Sequence, residues 1–403
     1  MSAAWLLAGL LTLCGAMTCA ELASAFPHTG GVYIFLKHGI SPAAGFLWGW
    51  AMFWTMHSGI IAAIAVIVAR YFGYFVSLSD GGVKAVAIGV IAALSAINYL
   101  GVRQGGILQA VLTCAKVLAI ALIFVFVFAV AAPRSAAPVP LSLTGFSGFH
   151  AFTLAIGAGL FAFGGWHMVT YTAGETRDAA HTIPRALLVG TLVVTACYLS
   201  LNAAYLRVLP VHDLIASQRV AADAAGVLVG SSGAAIVSLL VILSGVGSIN
   251  GIILAGPRVY FAMAQDRLAF QWLGAAHPRF HTPHLAILAQ AVWAGVLVAT
   301  GTYRELFTRV VYTEWIFFAL MVAGMFRLRS RPDYSPAFRV WGYPLVPALF
   351  IVACVVIVAN QVAADPWKSA AGLLFVLVGI PIYYAWSRFA PAPGQGDSER
   401  ADH

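Results

Sequence analysis

Charge is what this sequence has least of. Only 9% of its 403 residues are Asp, Glu, Lys or Arg, against 61% hydrophobic, where ordinary soluble domains carry about 25% charged residues. That scarcity excludes a soluble domain anywhere along the chain. Apolar runs of about 20 residues, the length that crosses a bilayer, recur from one end to the other. The chain reads as an all-α polytopic membrane protein. A membrane β-barrel is excluded, because it needs short alternating segments instead of long runs.

Other absences narrow the reading further. The five cysteines, Cys14, Cys19, Cys114, Cys197 and Cys354, all fall inside apolar runs, which excludes a disulfide framework or thiolate metal site and leaves small hydrophobes. The formal charge is +8, yet there is no compact basic domain, so nucleic acid is not a partner. The stretch "MSAAWLLAGLLTLCGAMTCAELASAFP" lacks the basic n-region of a cleaved leader and runs directly into Glu21. It is expected to be a membrane span.

Cutting at charges, prolines and Gly/Ser/Asn clusters predicts eleven spans. They cover 3–25, 45–69, 83–102, 107–131, 149–173, 184–208, 227–255, 284–302, 305–326, 344–364 and 369–388. Together they make one membrane domain, 1–391, followed by a polar, disordered tail at 392–403. Loop charge sets the orientation. Thirteen Lys and Arg fall on one side against eight on the other, and the cluster "RLRSRPDYSPAFR" lies on the richer side, so that side and the carboxyl end are expected in the cytoplasm.

One span carries an anomaly. "FAFGGWHMVTYTAGE" (161–175) sets adjacent Gly164 and Gly165 among aromatics, then a His and an acid. Each glycine in a helix costs about 1 kcal/mol relative to Ala. Either the pair lets a neighbouring helix approach closely, or the helix unwinds there, and an unwound stretch at membrane depth survives only where it lines a cavity. The flanking Phe161, Phe163 and Trp166, with polar His167, Thr170 and Thr172 beyond, suit a cavity; paired broken helices near the midplane hold ions and zwitterions in many transporters. Lys116 lies ten residues into its span from Gly106, about 15 Å along a helix, where a lysine costs roughly 2.5–3.5 kcal/mol. It reads either as a structural lysine bonded to carbonyls or as an ammonium occupying a cation site.

These stretches resemble the amino acid–polyamine–organocation superfamily, in its L-type amino acid transporter branch. The resemblance rests on "GAMTCAELASAFPHTGGVYIFL", "NYLGVRQGGILQAVLTCAKVLAI" and "GLFAFGGWHMVTYTAGETRDAAHTIPRA". Further on it rests on "GSINGIILAGPRVYFAMAQDRL", "HPRFHTPHLAIL" and "TEWIFFAL…RPDYSPAFRVWGYPLVP". It implies the LeuT-type inverted-repeat fold, with a partial first repeat at 3–131, a second at 149–326 and two extra helices at 344–388. It also implies transport of amino acids across the cytoplasmic (inner) membrane by alternating access, without cofactor or metal, as sodium-independent exchange or proton-coupled uptake.

The resemblance further assigns residues. Phe161 matches an aromatic gate; the backbone of Phe161, Ala162 and Gly164 matches the amino-group site, with Phe163 and Gly165 in the same break. Trp166 and His167 continue the pocket wall, and Glu314 and Trp315 match the stretch facing the substrate side chain. Lys116 takes a sodium ion's place beside Ser244 and Ser248. The family's first helix, with its Gly-Ser/Ala-Gly break, has no match near Met1. Either the true start lies upstream or the chain is a truncated permease, and a non-transporting scaffold or sensor is then the alternative.

Some signals point elsewhere. His277, His281 and His284 in "HPRFHTPH" have metal-like spacing without an added acid or Cys. "GSSG" at 230–233 resembles an intramembrane serine protease motif with Ser232 as nucleophile, though an ordinary turn accounts for it. Glu314 serves selectivity, carries a proton or sits at the outer interface. Met52, Met56 and His57 are expected to pack between helices. Glu175 and Arg185 form either a cytoplasmic gate or a solvated loop.

Overall fold

The structure, a computed structural model, describes residues 2–130, 146–216, 220–230, 232–302 and 312–389. The expected tail at 392–403 lies outside the described residues, as does much of the 305–326 span's first half. The helices are α1 (Ser2–Ala25), α2 (Val32–Gly39), α3 (Pro42–Ala51), α4 (His57–Phe72), α5 (Asp80–Tyr99), α6 (Val102–Val130), α7 (Phe146–Ala162) and α8 (Ala179–Val208). They continue with α9 (Val211–Ala216), α10 (Val220–Val229), α11 (Ser232–Ala255), α12 (Pro257–Gln265) and α13 (His284–Thr300). Completing the order are the elements we label α14 (Thr313–Arg329), α15 (Leu345–Ala364) and α16 (Pro366–Phe389). Eight helical stretches among the described residues are long and apolar enough to cross a membrane. The other three expected spans correspond to α7, α13 and α14, each 17 residues.

Small residues decide where α1 sits. Gly15 packs so tightly on α15 that a Cβ there would lie 2.5 Å from the Phe350 ring, and Ala8 faces Gly159 of α7. Gly9 faces Thr195 of α8 in the same way. Without a hydrophobic gradient between helix and lipid, such small-residue contacts drive association, and α1 is the strut against which α7, α8 and α15 are held.

Several positions depart from the sequence reading, among them the span expected at 149–173, whose α-helix ends at Ala162. The residues between the first two spans contain α2, with Val32, Tyr33 and Leu36 fully buried. Gly39 of α2 backs onto Gly324 of α14, where a Cβ would meet the opposing Cα at 3.0 Å. The expected span 227–255 is two helices, α10 and α11, divided at Gly230, whose φ is +64°. The stretch Pro42–Phe72 is continuous, its two α segments joined by a π turn at Met52–Met56; such bulges concentrate at functional sites.

Three apolar clusters stabilise the bundle. The largest gathers α1, α2, α3, the break after α7, α12 and α14. A second joins α4, α5, α11 and α13, and a third α6, α8 and α10. A polar pin crosses α5, α6 and α11: Asn98 donates to Asn250 Oδ1 at 2.9 Å, and Asn250 donates to Gln109 Oε1 at 2.9 Å and to the Gly105 carbonyl at 3.1 Å.

Candidate substrate site

The glycine pair ends a helix. α7 stops at Ala162, Phe163–Gly165 form a turn, and a 3₁₀ helix runs from Trp166 to Glu175. Gly165 adopts φ +90° and ψ −5°, a left-handed conformation that costs other residues roughly 1–2 kcal/mol. A Cβ at this position would approach only Met168 Sδ, at 3.7 Å, so glycine is required here by backbone angle and not by crowding.

Aromatic side chains fix both flanks. Phe163, 5% exposed, stands edge-on to Tyr198 of α8 at 5.0 Å and tilts against Trp5 of α1 at 6.5 Å. Tyr198 donates its hydroxyl to the Ala162 carbonyl at 2.7 Å. Trp166 packs on Phe318 and Phe350, and His167, 1% exposed, lies edge-on to Trp48 of α3. Glu314 Oε1 comes within 3.5 Å of His167 Nε2, a charge contact too long for a strong hydrogen bond. Trp315 is buried beside Phe318 and Phe350 and lines a cavity of about 450 Å³ between α1, α7, α14 and α15. The Phe161 side chain is outside the described residues, so its gating role rests on the resemblance. Gly164 and Gly165 remain accessible, and the structure brings Ala162, Phe163, Trp166, His167 and Glu314 together around them.

The carboxyl-terminal end of the 3₁₀ helix is clamped. Gly30 N–H donates to the Tyr171 carbonyl at 3.1 Å, and Gly31, at φ +49°, is pressed against Thr170 Oγ1. Glu175 is bound bidentately by Arg258 of α12, from Nε and Nη2 at 3.1 Å each, and Arg258 is 1% exposed. Arg185 lies exposed on α8, and the Glu175 carboxylate is taken by Arg258.

Lys116 sits on α6, half-buried, and donates from Nζ to Ser248 Oγ of α11 at 3.3 Å. Ser248 in turn donates to the Ser244 carbonyl at 3.0 Å. Gly247 allows the approach, since a Cβ there would meet Lys116 Nζ at 3.0 Å. Lys116 and Ser244 are the polar edge of a largely apolar cavity of about 560 Å³ between α6, α8, α10 and α11.

Two ion-pair systems escaped the sequence reading. Glu21 of α1, fully buried, accepts from Arg329 Nε at 2.7 Å and Nη2 at 2.5 Å, from Val340 N–H at 2.7 Å and from the Tyr334 hydroxyl at 3.3 Å. Asp266 accepts from Tyr33 Oη at 2.5 Å and pairs with Lys37 Nζ at 2.6 Å. Burial, then the Asp266 carboxylate, holds the Tyr33 phenol above its usual range. An acid inside an apolar run is the signal that marks Glu21; the partners of Asp266 are set by the fold and carry no local pattern.

The remaining signals resolve as structure. His277 Nδ1 accepts from the backbone N–H groups of Arg279 and Phe280, and no group of three metal-ligating side chains occurs among the described residues. Tyr99 lies edge-on to His277 and His284 beside the α11 half that carries Asn250, so Ser232, at the other end of α11, lies roughly 27 Å of helix away. Met52 and Met56 are buried between helices, and so is His57, whose Nδ1 shares a 2.8 Å hydrogen bond with Tyr260 Oη.

Comparison with known proteins follows the same lines. Residues 1–383 match the family described as Amino acid permease. The chain is 32% identical over 393 residues to the serine/threonine exchanger SteT of Bacillus subtilis (strain 168), covering 96% of this chain and 88% of that protein. It is 27% identical to the human cystine/glutamate transporter, over 94% of this chain and 76% of the relative. It is also 27% identical to the human b(0,+)-type amino acid transporter 1, over 96% and 80%.

Proposed function

The chain belongs to the amino acid permease family, and from that premise we propose that it exchanges amino acids across the cytoplasmic membrane by alternating access, without sodium. It is a multi-pass membrane transporter and not an enzyme. One observation carries the site: the helix break at Phe163–Gly165, with accessible glycine peptides beside a buried His167 and Glu314. Peptide groups released from helical pairing there bind a zwitterion, while Trp166, His167, Glu314 and Trp315 face its side chain. Phe161 closes over it. Lys116, held to Ser248 beside Ser244, supplies the fixed positive charge that an ion would otherwise bring.

In this reading 3–131 and 149–326 are the two repeats, 344–388 the added helices, and the carboxyl end is cytoplasmic. Alternating access follows from the break: the 3₁₀ segment is clamped by Gly30, Gly31 and Arg258 at one end and free to hinge at Gly165 at the other. The test is counterflow in proteoliposomes. Radiolabelled members of a panel of common L-amino acids, serine and threonine among them, are offered outside with the same compound inside, in sodium-free buffer. Accumulation of label supports the exchanger. Binding without flux supports a scaffold or sensor, and strict sodium dependence removes Lys116 from its assigned role.

A further inference from the structure

The basic stretch "RLRSRPDYSPAFR" at 327–339 builds a surface of its own. Of its four arginines, Arg329 is consumed by Glu21. Arg327 and Arg331 reach instead to the carboxyl-terminal end of α2. Arg327 Nη1 donates to the Ile40 carbonyl at 3.1 Å, and Arg331 Nη2 donates to the His38 carbonyl at 3.3 Å. The last carbonyls of a helix lack partners within it and carry partial negative charge. Two guanidinium groups, from α14 and the residues after it, therefore cap α2 together.

Capping uses little of what these side chains offer. A guanidinium carries five N–H donors, and Arg327 and Arg331, both exposed, each spend one on α2. Nearby acids do not take the rest. Glu21 is held by Arg329 and Asp266 by Lys37, and neither Arg327 nor Arg331 has a carboxylate partner among the described residues. Asp333, also exposed, is the one acid in the stretch, against four arginines.

Their depth is set by their neighbours. Arg327 lies in the last turn of α14. Tyr343 packs on Phe326 with the Arg329 guanidinium 3.9 Å over its ring, and Trp341 and Leu345 are 68% and 65% exposed. Exposed Trp and Tyr at the end of a span mark the boundary between bilayer and water. The spare guanidinium groups stand at the level of phospholipid phosphates.

We propose that Arg327 and Arg331 bind the phosphate of an anionic phospholipid, which joins α14 to α2. The planar fork of arginine matches phosphate oxygens in charge and in shape. A choline headgroup would bring a third cation to the pair, so a headgroup of net negative charge is selected. The joint reaches the substrate site through α2. Gly39 packs on Gly324 of α14, Tyr33 and Lys37 hold Asp266 after α12, and Gly30, just before α2, donates to the Tyr171 carbonyl of the 3₁₀ helix. A phosphate across the two arginines removes their mutual repulsion and fixes α2 against α14, so exchange runs faster in an anionic bilayer. Lipid binding stands on these contacts alone; its effect on exchange rests on the permease reading.

The test titrates purified full-length protein in neutral detergent with phosphatidylglycerol, phosphatidylcholine or soluble glycerol phosphate, read by native mass spectrometry and thermal unfolding. Phosphatidylglycerol is expected to be retained and to raise the unfolding temperature, and the other two to do neither. Equal action by phosphatidylcholine or by glycerol phosphate overturns the anionic-lipid assignment. Arg327→Gln and Arg331→Gln should each weaken phosphatidylglycerol retention about fivefold, while Arg103→Gln, exposed in the first turn of α6, retains it fully. If the two Gln variants lower the unfolding temperature equally with and without phosphatidylglycerol, the arginines only cap α2 and the proposal fails. In vesicles, counterflow should be faster in an equal mixture of phosphatidylglycerol and phosphatidylcholine than in phosphatidylcholine alone, a gain lost in the double Gln variant. Retention without that gain overturns the link to exchange. Absence of counterflow in both bilayers removes the permease reading and leaves the lipid site standing.

Discussion

Tyr198 donates its hydroxyl to the carbonyl of Ala162 at 2.7 Å, so the last helical carbonyl before the break is held by α8. The sequence resemblance gives that carbonyl to the substrate's amino group; the structure gives it to a tyrosine. Tyr198 thus steadies the break in this conformation, where the Phe163 N–H still donates to the Gly159 carbonyl and the Gly165 carbonyl accepts from the Met168 N–H.

Removing that hydroxyl tests the arrangement. Tyr198→Phe is expected to lower stability by about 1 kcal/mol, the net value of one such hydrogen bond, and to raise KM in counterflow as the break loses its fixed geometry. Thermal unfolding in detergent reads the first effect and concentration-dependent counterflow the second.

Lys116 is expected to be essential for coupling and dispensable for insertion. Lys116→Ala removes the ammonium from Ser248, and apolar surroundings on α6 and α11 accept the shorter side chain. Membrane level and detergent elution profile should match wild type, with counterflow abolished or converted to uncoupled leak. Normal kinetics would make Lys116 a structural lysine.

The Glu175–Arg258 pair should matter more to stability than to substrate affinity. Removing one partner of a buried ion pair typically costs about 3–5 kcal/mol, and less here because Glu175 is 28% exposed. Arg258 itself is enclosed. Glu175→Gln is therefore expected to lower the unfolding temperature measurably, and Arg185→Ala, on the exposed face of α8, to leave it unchanged.

Glu21 makes the same argument near the carboxyl-terminal end of α1. Its carboxylate receives two bonds from Arg329 and one from the Val340 N–H, tying the 330–343 loop to α1. Glu21→Gln keeps the shape and loses the charge, and the loop is expected to become susceptible to limited proteolysis near Arg331.

Much of the fold was legible because the bilayer imposes a simple rule on helix length. Most of the apolar runs fall on helices whose ends differ from the sequence reading by a few residues, whereas the helix of the 149–173 run stops at Ala162 and that of the 305–326 run is described from Thr313. α2 escaped because a short helix between spans has neither the length nor the uniform apolarity of one, and its burial against Gly324 depends on a partner far away in sequence. The division of 227–255 escaped because Gly230 and Gly233 read equally well as span-internal small residues. At the site, Gly164–Gly165 announced the break locally. Tyr198, Arg258 and the partners of Glu21 could not be read, because their roles depend on which helices meet. Arg185 illustrates the limit: it is near Glu175 in sequence, yet Arg258 reaches the carboxylate.

The sharpest measurement is counterflow by Gly165→Ala beside a Gly190→Ala control. A Cβ on either glycine has room, with only Met168 Sδ near the first at 3.7 Å and nothing within 4 Å of the second, but only Gly165 has a positive φ, +90°. Forcing an L side chain into that backbone costs roughly 1–2 kcal/mol, which straightens or distorts the break. Gly165→Ala should insert normally and lose at least about tenfold in counterflow, while Gly190→Ala transports as wild type. Wild-type counterflow in Gly165→Ala would show that the substrate does not depend on the broken helix.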